Sequence, residues 1–309
     1  MAVGTFDGVH LGHRRLIDTV VAEARRIEAR GGPGTGCAVA ITFRRPPRAV
    51  IERAAAAPLL CPLEERLDLI RALGLDAVVA VDFADDIRLM TAAEFTSLLR
   101  RELAMEALVV GPGTSMGHDR ADSRALEALG REGGFRVRVV APVLHLGSPV
   151  RSSAIRTAVL EGRVRDAAAM LGRPFALAGP VTSGNRRGRE LGFPTANLPP
   201  PPETALPADG VYAAWAVVAG ARHAAAASIG VRPTFGGHAG DERVVEAFLI
   251  GFQGDLYGKT MRLEFIERLR GQERVPSASA LARQMTSDTA AALRALEDTA
   301  PTLGGKPDG

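Results

Sequence analysis

Apolar positions in the first half of the chain fall into two alternating patterns. Short β-branched runs without strict alternation stand at Cys37 to Phe43, Ala77 to Phe83, Ala107 to Gly111 and Arg136 to Ala141. Such runs predict strands buried on both faces. Between them, apolar residues recur at helical spacing. From Pro62 to Leu73 they are Leu63, Leu67, Ile70 and Leu73, with Pro62 suited to the first turn and Gly74 to the stop. A second helix is predicted to open at Thr91, with Glu94 three residues on as a capping box, and to continue through Phe95, Leu98, Leu99 and Leu103. Strand and helix in alternation predict a parallel α/β sheet, a Rossmann-like fold.

The pattern changes near Arg173. Phe175 to Ser183, Val211 to Ala219, Ala224 to Ile229, Val244 to Ile250 and Met261 to Ile266 read as strands divided by Gly/Pro-rich turns. No helix is predicted until about Ser277, where Leu281, Met285, Ala292 and Leu296 supply apolar positions. The second half therefore reads as a small β-barrel closed by one C-terminal helix, with Pro199 to Pro202 as an extended connector inside it. The expected division is residues 1–172, residues 173–300, and a loose tail at 301–309.

Composition agrees with two cores. The chain has 309 residues, more than one hydrophobic core usually serves, and is 46% hydrophobic and 24% charged. The formal charge is only +3, with no long basic run and no aromatic-basic interleaving, so small phosphorylated ligands fit better than nucleic acid. Cys37 and Cys61 lack metal-ligand spacing and are too few for a disulfide framework. No apolar stretch approaches the roughly 20 residues of a membrane span, and no signal pattern opens the chain. A cytoplasmic protein with no membrane contact and no obligate protein partner is expected.

The segment Gly4-Thr5-Phe6-Asp7-Gly8-Val9-His10-Leu11-Gly12-His13 lies between a short strand and a helical pattern from about Leu11 to Arg30. Such a turn aims backbone N–H groups and the helix's positive end at a phosphate, and its glycines permit close approach. His10 and His13 are then placed to stabilise charge growing on a phosphoryl group. Two histidines three apart also suit solvated or capping roles. Only Met1, Ala2 and Val3 precede Gly4, so either the first strand is very short or the start codon lies upstream.

The second half carries Gly179-Pro180-Val181-Thr182-Ser183-Gly184-Asn185-Arg186-Arg187-Gly188-Arg189, then Leu191-Gly192-Phe193-Pro194-Thr195-Ala196-Asn197. Gly184 and Gly188 permit a tight loop beside polyphosphate, and Arg187 and Arg189 bring matching donors, although a plain arginine-rich surface loop would look similar. Thr195 and Asn197, two apart on extended backbone, point their oxygen-bearing side chains the same way, and Mg²⁺ prefers oxygen. Glu246 shares a strand face with Val244, Phe248 and Ile250. It reads either as a base made stronger by an apolar setting or as an exposed edge residue.

These strings resemble the bacterial bifunctional riboflavin kinase/FAD synthetase family over nearly the whole chain. The first half carries the F-D-G-V-H-x-G-H form of the nucleotidyltransferase H-x-G-H signature, together with Leu171-Gly172-Arg173-Pro174; the second carries Pro194-Thr195-Ala196-Asn197. The resemblance implies an N-terminal domain that adenylylates FMN with ATP to give FAD and pyrophosphate, and a β-barrel kinase that makes FMN from riboflavin with Mg²⁺ and ATP. It implies nucleotide contacts from Gly4, Phe6, Asp7, Gly8, Gly12, Arg156, Gly184, Gly188, Arg189, Thr195 and Asn197, with Thr195 and Asn197 also meeting the metal. His10 and His13 become catalytic, and Glu246 becomes the base for the ribityl 5′-hydroxyl. Tyr257, in Gly254-Asp255-Leu256-Tyr257-Gly258-Lys259, and Arg270 become flavin contacts.

The first half departs from the family pattern at three places, and the second at Gly251, where an aspartate is common, and at Arg274-Val275-Pro276-Ser277. Where the family has T-F-x-P-H-P, it reads Thr42-Phe43-Arg44-Arg45-Pro46-Pro47, so Pro46 replaces a histidine. A run that is often V-G-x-D-F-x-F-G reads Val110-Gly111-Pro112-Gly113-Thr114-Ser115-Met116-Gly117. The S-S-T-x-I-R run becomes Arg151-Ser152-Ser153-Ala154-Ile155-Arg156. Two alternatives stay open on these grounds: a riboflavin kinase with an inactive or repurposed N-terminal domain, and a non-catalytic flavin sensor.

Overall fold

The computed structural model describes residues 1–51, 57–182, 193–231, 243–273 and 277–297. Backbone contacts divide the chain into two compact units, Met1–Ser152 and Ser153–Gly309.

The first unit runs β1 (Ala2–Val3), α1 (Leu11–Gly31), β2 (Val39–Phe43), α2 (Pro47–Ile51), α3 (Leu63–Arg71), β3 (Ala77–Val81), α4 (Asp85–Arg88), α5 (Ala92–Leu103), β4 (Ala107–Val110), α6 (Ser123–Gly133), β5 (Arg136–Val139), β6 (Leu144–His145) and β7 (Ser148–Pro149). Five of the strands form one sheet in the order β3-β2-β1-β4-β5, and every pair in it is parallel. The predicted Rossmann-like sheet is therefore present. β1 is only two residues long, yet it is the central strand, paired with β2 on one side and β4 on the other. Strand order reverses across β1, and the carboxyl end of such a strand is where open α/β sheets take ligands.

The helices form where the apolar spacing calls for them. α5 starts with the expected capping box: Thr91 Oγ1 accepts from the Glu94 backbone, and Glu94 accepts from the Thr91 N–H. Its Phe95 and Leu99 pack with Leu108 and Leu126 on one face of the sheet. On the other face Ile17 and Val20 of α1 pack with Ala40, Ile70 and Val109. The short α6 and the β6–β7 hairpin were not apparent in the apolar pattern.

The second unit contains most of α7 (Ser152–Leu160), then α8 (Val164–Leu171), β8 (Phe175–Pro180), β9 (Thr195–Asn197), β10 (Gly210–Val218), β11 (Ala221–Val231), β12 (Arg243–Leu249), β13 (Thr260–Arg270) and α9 (Ala278–Glu297). Its sheet has the order β8-β13-β10-β11-β12-β9, antiparallel throughout. A bridge between Thr182 and Asn197, with the Thr182 N–H donating to the Asn197 carbonyl at 2.9 Å, joins the two edges and curls the sheet toward a barrel. The interior is filled by Leu177, Ala227, Ala247, Leu263 and Phe265. Alanines allow so small a barrel to close. α9 covers the outer side of β10 through Ala292, Ala295 and Leu296, against Ala213 and Ile266.

Candidate functional site

In the first unit the chain leaves β1 into a turn whose backbone is unusual. Phe6 (φ 51°), Gly8 (φ 77°) and Val9 (φ 41°) all lie in the left-handed region. A β-branched valine rarely does so, and a run of such residues persists only where its surroundings over-determine it. Here they do. The Gly4 N–H donates to the Ile41 carbonyl at 3.0 Å, and the Val9 N–H to the Phe6 carbonyl at 3.0 Å. Asp7, 4% exposed, accepts from the Leu60 N–H at 2.8 Å, and its carbonyl accepts from Ser152 Oγ at 2.9 Å. The Thr5 carbonyl accepts from Thr42 Oγ1 at 3.1 Å and from the Arg66 guanidinium at 3.0 Å.

The turn delivers His10 to the N-cap of α1. Its Nδ1 accepts from the His13 N–H at 3.3 Å, which puts the proton of the neutral ring on Nε2. The two imidazoles stack, with centroids 3.5 Å apart and planes 18° apart, and Phe6 meets His13 edge-on at 5.3 Å. Gly12 suits this packing, because a Cβ there would lie 3.1 Å from the His10 ring and press it out of place. The first turn of α1 carries no acidic residue of its own to offset the positive end of the helix. Burial, and secondarily the charge of His10, hold the His13 pKa well below its ordinary value of 6.5. Its Nδ1 is buried with no hydrogen-bond partner, so protonation there is opposed.

This has a stability consequence with a definite sign. The unfolded chain takes up a proton at His13 below pH 6.5 and the folded chain does not, so stability falls as pH drops through that value. His13→Gln removes the difference. Thermal unfolding followed from pH 7.5 down to pH 5 is expected to show the variant gaining on the wild type as pH falls; parallel pH dependences would refute the assignment.

Gly4, Phe6, Asp7, Gly8, Gly12, His10 and His13 thus lie together in the turn and at the start of α1. Arg156 lies on α7. Arg66 was missed, although it sits in the helical face marked by Leu63, Leu67 and Ile70, where a cation is out of place. It is fully buried and also donates to the carbonyls of Phe43 at 2.7 Å and Arg44 at 3.4 Å. A cavity of about 680 Å³ opens at the opposite ends of β4 and β5, where Glu23 gathers Arg26, Arg136 and Arg138; it is remote from the turn.

In the second unit the decisive feature is register. β9 and β12 pair so that Asn197 stands directly opposite Glu246 and Thr195 opposite Phe248. β12 and β11 then set Glu246 opposite Ser228, whose hydroxyl is 3.0 Å from Gln272 Nε2. Side chains at opposed positions share a face and come within about 5 Å at Cβ. Thr195, Asn197, Glu246 and Ser228 therefore form one polar patch on the face opposite the apolar interior of Val245, Ala247 and Leu249. Glu246 is half-buried there beside Val244 and Phe248.

A cavity of about 630 Å³ begins at Thr195 and is walled by Phe252, Gly254, Asp255 and Tyr257. Tyr257, assigned to the flavin from sequence, thus lines the same cavity as Thr195. Arg270 is elsewhere: it grips Asp288 of α9 with two hydrogen bonds at 2.8 and 2.7 Å, which raise its pKa. Gly184, Gly188 and Arg189 lie outside the described residues, as does 301–309. Among the described residues no cluster of three His, Cys, Asp or Glu side chains could hold a metal unaided.

Both halves of the chain match known families. Residues 1–154 match the FAD synthetase family model and residues 171–296 the riboflavin kinase model. A bifunctional riboflavin kinase/FMN adenylyltransferase of Escherichia coli K12 is 32% identical, over 93% of this chain and 90% of that protein. The chain belongs to the bifunctional riboflavin kinase/FMN adenylyltransferase family. The Bacillus subtilis member of this family is 30% identical over 95% of this chain and 91% of its own length. A crystal structure described as a macrolide-efflux protein from Streptococcus pneumoniae superposes with a TM-score of 0.85 at 29% identity, covering 94% of this chain and 93% of that one. Among the described residues of this family member, no helix is long and apolar enough to cross a membrane.

Proposed function

We propose that this chain phosphorylates riboflavin to FMN and adenylylates FMN to FAD, using ATP in both steps. The reading rests above all on the opposition of Asn197 and Glu246 across the β9–β12 pair, with Thr195 leading into a cavity. In the kinase step Glu246 takes the proton of the ribityl 5′-hydroxyl as its oxygen attacks the γ-phosphorus, and ADP leaves. Thr195 and Asn197 offer neutral oxygens, which suits a Mg²⁺ that arrives with ATP and keeps water and phosphate ligands. Bound there, Mg²⁺ would neutralise charge on the triphosphate.

In the second step an FMN phosphate oxygen attacks the α-phosphorus of ATP, and pyrophosphate leaves. No enzyme nucleophile is needed. His10 Nε2–H and the positive end of α1 stabilise the charge that develops, while neutral His13 holds the His10 ring by stacking. The resemblance adds Arg156 to the nucleotide ligands, and Gly184, Gly188 and Arg189 to those of the kinase. The resemblance also keeps Tyr257 and Arg270 as flavin contacts, Arg270 being held in place by Asp288. The division at 172/173 follows from the same reading, and the cytoplasm, which supplies ATP, is the compartment that fits.

Thr195→Val replaces the hydroxyl with a methyl of equal size. Riboflavin phosphorylation by this variant is expected to need about tenfold more Mg²⁺-ATP for half its maximal rate, the cost of one charge-assisted oxygen contact. A titration in Mg²⁺-ATP superimposing on the wild type would remove Thr195 from the nucleotide site.

A further inference from the structure

We propose that Arg66 is a positioning residue for adenylyl transfer, fixing the Thr5 carbonyl and through it the left-handed Phe6 whose ring holds His13. The inference rests on the adenylylation reading and concerns a residue that touches neither phosphate nor flavin in that reading.

A guanidinium with no exposed surface is costly to bury. The charge of Arg66 is opposed by desolvation, which lowers its pKa, and supported by Cys61 and Asp7. Its donors are distributed in an informative way. One, at 3.0 Å, goes to the Thr5 carbonyl at the exit of β1; two, at 2.7 and 3.4 Å, go to Phe43 and Arg44 at the exit of β2. The fork of an arginine thereby ties together the exits of neighbouring strands, a task the single point of a lysine cannot duplicate.

The tie acts on the histidines through a short chain of contacts. Fixing the Thr5 carbonyl sets the orientation of the Thr5–Phe6 peptide, and Phe6 then adopts φ 51°. That places the Phe6 ring edge-on to His13, which stacks on His10. Thr42 Oγ1 is the other donor to the same carbonyl, at 3.1 Å. Arg66 and Thr42 are therefore predicted to act as one unit, and their energetic effects to be non-additive. The segment beyond Arg44 is the one in which Pro46 stands at a histidine position.

The test uses the full chain, whose kinase step reports on overall integrity. Arg66→Lys, Thr42→Val and the double variant are assayed for FAD from FMN and for FMN from riboflavin, and their histidine rings are followed by NMR after ¹³C labelling. The expected result is a fall of about 10–100-fold in kcat for FAD formation in Arg66→Lys, with KM little changed. The His13 ring resonance moves in both single variants, the double variant is no worse than Arg66→Lys, and riboflavin phosphorylation is unaffected. Wild-type kcat in Arg66→Lys, or strictly additive losses in the double variant, overturns the proposal. Should Arg66→Lys fail to fold, Thr42→Val decides alone: an unmoved His13 resonance with unchanged kcat overturns it. A wild type that makes no FAD from FMN defeats the adenylylation reading instead, while the NMR comparison still tests the contact chain.

Discussion

Glu246→Gln is expected to lower kcat for riboflavin phosphorylation by about 10²–10⁴-fold while leaving riboflavin binding intact. Glutamine preserves the shape of the side chain and can still face Asn197 and Ser228 across the β12 pairings, so the sheet has no reason to shift. What it cannot do is accept the hydroxyl proton, because its amide oxygen is a weak base. Fluorescence quenching of riboflavin gives the binding constant, and chromatography of the products gives the rate. FAD formation supplied with FMN should proceed at the wild-type rate. A variant that phosphorylates normally would assign the base elsewhere, and one that no longer binds riboflavin would make Glu246 a ligand instead.

Loss of the His10 ring is expected to reduce FAD formation from FMN by about 10²–10³-fold, the usual cost of one preorganised donor to a charged transition state. His10 needs two variants, because it also caps α1. His10→Ala loses both the cap, worth about 1 kcal/mol, and the Nε2 donor. His10→Asn keeps a good capping residue and loses the donor together with the ring stacked on His13. If the role is chemical, both variants lose activity and only the alanine form loses thermal stability. If His10 serves only as a cap, the asparagine form remains active. His13→Ala removes the stacked neighbour and should lower kcat for FAD formation, with riboflavin phosphorylation as the internal control.

Patterns that depend on neighbours in sequence were legible; those that depend on the fold were not. The capping box at Thr91 and Glu94, the long α1 and the five long kinase-unit segments could be placed because their signals lie within one helix or strand. Short elements such as β6 and β7, of two residues each, carry too little periodicity to detect. Position 66 reads as one more charged residue until α3 is packed, whereupon its side chain is seen to face inward. Thr195, Asn197 and Glu246 could be named from their strings, but nothing local says that residues almost fifty positions apart are opposed in one ladder. Tyr257 and Arg270 show the same limit: no string says that Tyr257 shares a cavity with Thr195, or that Arg270 is bound to Asp288.

The most direct test incubates the purified chain with riboflavin, ATP and Mg²⁺, separates the flavins by chromatography, and repeats the reaction from FMN. The expected outcome is FMN followed by FAD in the first reaction, and FAD with pyrophosphate release in the second. Phosphorylation that stops at FMN, with no FAD in the second reaction, would contradict adenylylation at the histidine turn, and absence of FMN from riboflavin would contradict the kinase assignment itself.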